Sequence, residues 1–192
     1  MATTEAGHHA TRVYTDQDGY LHLNGAGIYA DESGTLITAS DLQQVDSGSR
    51  LVAGGSSLTL TQASHDGKII QLDTLAGTTI TLPAASGSGM RVRCVVTVVA
   101  TSNSHKIQVA NASDTMTGMV LTISDDAGGP VKAYTADATA GADTITLNRT
   151  TTGSTVKGEW IELIDIAANK WAVTGVTAST GTEATPFSAA VS

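Results

Sequence analysis

Beyond residue 50 the apolar positions recur with period two rather than 3.6, which marks half-buried strands rather than amphipathic helices. Ser57-Leu-Thr-Leu-Thr61 alternates strictly. Lys68-Ile-Ile-Gln-Leu-Asp73 follows the turn signal His65-Asp-Gly67. Thr78-Thr-Ile-Thr-Leu82 closes on Pro83, which has no N–H to give a ladder and so belongs at a strand end. Ser86-Gly-Ser-Gly89 reads as a flexible turn into the stretch from Met90 to Val99, which starts alternating and becomes continuously apolar, as a strand buried on both faces does. Further strands are expected at 106–109, 119–124, 131–135 and 144–147. A last hairpin joins 159–165 to 170–174 through Ile166-Ala-Ala-Asn169. With a strand roughly every ten residues and turn chemistry between them, the pattern predicts an all-β fold. The expected architecture is a β-sandwich or jelly-roll-like domain of many short antiparallel strands over residues 53–192. No helix of ten or more residues is expected; Ser40-Asp-Leu-Gln-Gln-Val45 offers a turn or two with Ser40 as cap.

One internal echo stands out. Gly77-Thr-Thr-Ile-Thr-Leu-Pro83 resembles Ala142-Asp-Thr-Ile-Thr-Leu-Asn148, which suggests two strands meeting similar demands but falls short of a solenoid repeat. Residues 1–52 differ from the rest: apolar residues are sparse, and glycines at 19, 25, 27 and 34 punctuate them. Asp16-Gln-Asp-Gly-Tyr20 reads as a turn between short strands, and Asn24-Gly25 as a hairpin signal. Such a segment gains order by lying against a partner, with tyrosines supplying amphipathic contact area, so an extended N-terminal docking arm is expected. Its candidate contact residues are Tyr14, Tyr20, His22, Leu23, Ile28 and Tyr29. The C-terminal residues 177–190 are also low in complexity, with Phe187 as their anchor.

Composition narrows the function classes. Thirty Thr and seventeen Ser fill the polar positions of the 192-residue chain, and charged residues make up only 15%. No apolar run approaches the ~20 residues that span a bilayer, and the opening Met1-Ala-Thr-Thr-Glu-Ala6 is unlike a secretory signal, so no membrane partner is expected. One cysteine, Cys94, excludes an intrachain disulfide and any multi-cysteine metal site; in an apolar strand it reads as a small buried hydrophobe. Ten basic residues against eighteen acidic give a net charge of −8, without the basic stripe that phosphate neutralisation demands, so no nucleic-acid partner is expected. Arg91 and Arg93 share one strand face and read as a solvated or ion-paired edge. Trp160 and Trp171 read as an aromatic pair across the last hairpin rather than a sugar platform.

Catalytic and metal motifs do not assemble. Asp16-Gln-Asp-Gly19 begins like a calcium loop, but the twelfth position is Gly27 where a bidentate Glu is needed. His8 and His9 are adjacent and project apart, while His65 and His105 sit in turn-like contexts and read as solvated. Asp125-Asp126 reads as a polar loop. No nucleophile elbow, phosphate loop or zinc helix occurs. The expectation is no enzyme, no cofactor and no metal.

Residues 78–89, 101–118, 158–165, 171–175 and 181–187 together resemble virion proteins of tailed bacteriophages, a similarity covering about residues 55–190. The resemblance implies a homotrimeric β-rich knob of the kind found in capsid decoration (cement) proteins, head fibres and tail-associated fibres. In decoration proteins the N-terminal arm lies on the capsid and bridges major capsid protein subunits. A tail fibre needs a long repeating shaft that this chain lacks. The expected function is therefore decoration of the outer surface of the phage head, with the major capsid protein as partner. A head-fibre or tail-fibre module binding host-surface glycans is the alternative.

Overall fold

The protein, described as a computed structural model over residues 50–191 and the strand residues 13–15, 21–23, 28–29 and 36–37, divides into two units. The first spans Met1–Ser49 and the second Arg50–Ser192. In the first unit β1 (Val13–Thr15) pairs antiparallel with β2 (Leu21–Leu23), and β3 (Ile28–Tyr29) with β4 (Leu36–Ile37). The strands flanking residues 16–20 thus pair as their turn chemistry predicts. Residues 24–25 and 40–45, for which a hairpin and a helical turn were expected, lie outside the described residues, as do His8, His9, Asp16 and Asp18.

The second unit is all-β. Its strands are β5 (Leu51–Ala53), β6 (Ser57–Thr59), β7 (Ile69–Leu72), β8 (Thr79–Thr81), β9 (Arg91–Val96) and β10 (His105–Gln108). They continue with β11 (Thr115–Ser124), β12 (Val131–Thr135), β13 (Thr144–Leu147), β14 (Trp160–Ala167), β15 (Lys170–Ser179) and β16 (Phe187–Ser188). A four-residue helix, Gln62–His65, and a 3-10 turn, Ala136–Ala138, are the described helical pieces. Seven strands form one sheet in the order β12-β11-β15-β14-β9-β7-β5, and five form another in the order β16-β13-β10-β8-β6. Their inner faces share one apolar cluster, the layering of a sandwich.

The ladders are mixed rather than wholly antiparallel. From β5 to β10 consecutive strands alternate between the sheets, so each pairs in parallel with the strand two places away: β5 with β7, β7 with β9, β6 with β8, and β8 with β10. This half of the unit winds as a short two-layered coil, which period-two patterning cannot reveal because alternation fixes the face of a residue and not its partner strand. The later strands return to hairpins, β11–β12 and β14–β15, yet β11 also lies parallel to β15.

Register explains the core. Phe187, Ile145, Ile107, Ile80 and Leu58 form one rung across all five strands of the smaller sheet. The internal echo finds its reason here: β8 and β13 flank β10 on either side and present Ile80 and Ile145 to the same Ile107. In the larger sheet one inner rung runs Tyr134, Val120, Gly175, Ile161, Cys94, Ile70 and Val52. Cys94 is fully buried, which pushes its thiol up to about 12 and keeps it protonated and unreactive.

Several local expectations change. Strand β9 is buried on its inner face and only half-covered on the other, and it ends at Val96. It is an interior strand between β14 and β7, so Arg91 and Arg93 do not mark an edge; both are ion-paired to Glu162 at 2.8 Å. Trp160 and Trp171 do not pair: Trp160 opposes Val176 and faces outward, while Trp171 opposes Asp165 and is buried inside. The hairpin turn is shorter than expected, with Asn169 in the left-handed region at φ 60°, which Asn tolerates.

Candidate functional site

Buried polar groups in this unit hold loops. Asp165 accepts the N–H groups of Ser86 (3.0 Å), Gly87 (2.8 Å) and Ser88 (3.0 Å), and the Ser88 hydroxyl at 2.7 Å. The Ser86-Gly-Ser-Gly89 turn is therefore pinned rather than flexible. Burial raises the Asp165 carboxyl, but the Ser88 hydroxyl and the three N–H donors outweigh it and hold the group down to about 2. Glu159 accepts the N–H groups of Ser154 (2.7 Å), Thr155 (2.6 Å) and Val156 (2.7 Å), a nest made possible by positive φ at Gly153 and Ser154. Here burial prevails and the carboxyl is raised despite its donors. Both carboxylates have their oxygens committed to backbone.

His105 is not a solvated turn residue. It opens β10 fully buried, its Nδ1 accepting the Thr78 N–H at 2.9 Å and its Nε2 donating to the Val98 carbonyl at 2.9 Å. This fixes the neutral Nε2–H tautomer. Burial lowers its pKa below the ordinary value, only partly offset by the bond to Val98 and the charge of Asp73. The unfolded chain then binds a proton that the folded chain refuses, so this stability is present above about pH 6.5 and is lost as pH falls toward the lower folded value. The urea midpoint at about pH 5.5 is expected to fall below that at about pH 7.5, with the difference reduced in His105→Gln. An equal pH dependence in that variant would reject the assignment.

The outer face of the larger sheet carries the unit's unusual feature. Along Met119-Val-Leu-Thr-Ile-Ser124 the apolar Met119, Leu121 and Ile123 point outward and are exposed, while Thr122 and Ser124 point inward and are buried. The neighbouring β15 is turned the same way over its second half: Val176 and Ala178 face outward, Thr177 and Ser179 inward. The inward hydroxyls of Thr122 and Thr177 meet at 3.0 Å, whereas the Ser179 hydroxyl has no partner. The second halves of both strands are thus inverted relative to the usual rule that polar residues face water.

Register assembles these positions into a band. Ala133, Leu121, Val176, Trp160 and Val95 lie on one outer rung, and Val131, Ile123 and Ala178 on the next. Val131 is 60% exposed and Met119 50%. A shallow depression of about 470 Å³ opens beside Ile123, Val156, Trp160, Val176 and Ala178. Trp160 is half-buried, with the Arg93 guanidinium 4.6 Å from its ring centroid, whereas Trp171 is fully buried and offers no stacking surface.

The sequence-derived arm candidates fall as follows. Tyr14 stands opposite His22 on the β1–β2 ladder and Leu23 opposite Val13. Ile28 and Tyr29 stand opposite Ile37 and Leu36 on the separate β3–β4 ladder. Tyr20 lies outside the described residues. The apolar band was missed because alternation at 119–124 gives the period but not the phase. The excess of Thr and Ser over charge in these strands is the one signal that their polar side could turn inward.

Among the described residues no three His, Cys, Asp or Glu side chains gather as a metal site, and no helix is long and apolar enough to cross a membrane. No known protein family, characterised protein or solved structure matches this chain.

Proposed function

We propose that this chain is a capsid decoration protein of a tailed bacteriophage. It binds the outer surface of the head as a homotrimer and stabilises contacts between major capsid protein subunits. The setting comes from reading residues 55–190 as similar to phage virion proteins, on their sequence motifs alone. The observation that carries the interaction role is the inversion of β11 and β15, which leaves Leu121, Ile123, Val176 and Ala178 outside and hydroxyls inside. Covering each partly exposed aliphatic side chain stabilises by roughly 1 kcal/mol, so the band favours association once several are covered together.

A second copy of this chain is the occupant. The two apolar rungs carry no charge, so copies that each bear a net charge of −8 can meet there without opposing one another. Joining three copies also joins three leading segments, each with Tyr14, Tyr20, His22, Leu23, Ile28 and Tyr29 to offer the capsid. Modest contacts by each then add through effective concentration.

Light scattering of the purified chain should give three times the 19.5 kDa protomer mass, and Leu121→Lys with Ile123→Lys should give the monomer. Deleting residues 1–40 should leave a folded trimer that no longer binds cognate expanded capsids. Unchanged capsid binding by the deletion, or a monomeric wild-type chain, would refute the reading. Affinity for host-surface glycans in place of capsids would favour a fibre module.

A further inference from the structure

Four of the chain's ten basic residues converge on one cup at the far side of the same outer sheet face. Arg50, Lys68, Arg91 and Arg93 line a concavity of about 380 Å³ together with Gly67, Ile69 and Glu162. Strand pairing brings them there: Arg93 sits between Glu162 on β14 and Ile69 on β7, and Lys68 and Arg50 lead into β7 and β5. Against these cations stands Glu162, and at the lip Asp66, whose Oδ1 accepts the Arg91 backbone N–H at 2.9 Å. Positive charge is therefore in local excess on a chain that is acidic as a whole.

The guanidinium groups are oriented but not satisfied. Arg91 Nη2 (2.8 Å), Arg93 Nε (3.2 Å) and Arg93 Nη2 (2.8 Å) all donate to one oxygen, Glu162 Oε2. The remaining guanidinium N–H groups make no hydrogen bond to any described residue, and Arg50 and Lys68 form no ion pair with one. Glu162 and the Trp160 ring thus hold two planar forks in place, which lowers the ordering cost of a ligand that uses their free edges. Glu162 and Asp66 offset only two of these four positive charges, and the remaining excess favours a further anion among them.

We propose that this cup is a binding site for a multi-oxygen anion, a phosphate or carboxylate group, gripped by Arg91 and Arg93 with Lys68 and Arg50 closing around it. The site is a single cup and not a stripe, so it suits one anionic group rather than a nucleic-acid backbone. It meets the apolar band at Trp160, which Arg93 covers, but its cations all lie outside the two apolar rungs, and its fate does not decide the capsid reading.

The test is titration of the full chain with inorganic phosphate and, separately, with an oligoglutamate peptide, each against chloride at matched ionic strength. Calorimetry gives the stoichiometry, and the fluorescence of Trp160, which Arg93 covers, reports the site. Saturable binding of one equivalent of either probe is expected. Phosphate alone would assign a phosphoryl ligand and the peptide alone a carboxylate-bearing one. Lys68→Gln and Arg50→Gln, whose side chains make no hydrogen bond or ion pair with any described residue, should each weaken binding severalfold with the melting midpoint unchanged, and Arg91→Gln should weaken it at least tenfold. No saturable response to either probe, an equal response to chloride, or full affinity in these variants would overturn the proposal.

Discussion

Replacing Asp165 with alanine is expected to destabilise the β unit more than any other single polar substitution in it. The carboxylate ties the turn at residues 86–88, between β8 and β9, to β14 through three backbone N–H groups and two serine hydroxyls. Hydrogen bonds to a charged acceptor contribute more than neutral ones, and each donor stranded in a buried place costs about 1–3 kcal/mol. Water reaches part of this turn, so the donors are not all stranded, and a net loss of about 3–4 kcal/mol is expected. In a domain of this size that lowers the melting midpoint by roughly 6–16 °C. Asp165→Asn should fall between, since its amide keeps one acceptor oxygen but turns a donor toward donors. A change in midpoint within a degree or two of wild type would show that the turn is held by other means.

The same group sets an acid limit. Its folded pKa, held down to about 2, lies below the ordinary aspartate value. The unfolded chain is then protonated first, and the stabilisation present above about pH 4 is lost as pH falls through the folded value. Glu159 acts in the opposite sense. Its raised folded pKa means that the native state takes up the proton first, so its contribution declines as pH rises from the ordinary glutamate range through the folded value.

Gly118→Ala should be the most damaging small-residue substitution. Gly118 lies within β11 at φ 114°, and a Cβ there would overlap the backbone carbonyl oxygen of Val173 on β15. The obstacle is backbone and cannot rotate aside as a side chain would. Either the β11–β15 ladder parts locally or the residue leaves its left-handed conformation, at a cost of about 2–4 kcal/mol. Gly128→Ala makes the control: its φ of 75° is also positive, but open space surrounds it, so only the conformational cost of about 1 kcal/mol remains. Urea unfolding of the two variants side by side would separate clash from conformation, and equal losses would remove the case for a close approach at Val173.

How legible the fold was depends on which property each element rests on. Strands such as β7, β8, β12 and β13 were readable because local alternation, β-branching and a terminating Pro or Gly determine them within a few residues. Their pairing was not: β7 lies parallel to β5 and β9 because the chain crosses to the other sheet between them, and nothing local records that crossing. His105 was misread for a related reason, since Ser102-Asn-Ser104 is a real turn but the ring beyond it is enclosed by Thr78 and Val98. The outer band escaped the sequence because the alternation along β11, Met-Leu-Ile against Val-Thr-Ser, fixes the period but not the phase, and the strand turns its more apolar side outward. The cup escaped because its cations are spread over more than forty positions and only the sheet brings them side by side.

The alternating path from β5 to β10 bears on the order in which the molecule can form. Each parallel partner in that coil is the next strand but one, so the entropy of closing each loop is small and every completed layer presents an edge on which the next can assemble. The β11–β15 ladder instead joins Thr115 to Lys170, 55 positions apart, with the β12, β13 and β14 strands between them. The early coil can therefore nucleate as soon as its residues have left the ribosome, whereas the inverted apolar band is completed only when the last long strand arrives. On the proposed reading, self-association through that band would be postponed until the protomer itself is finished.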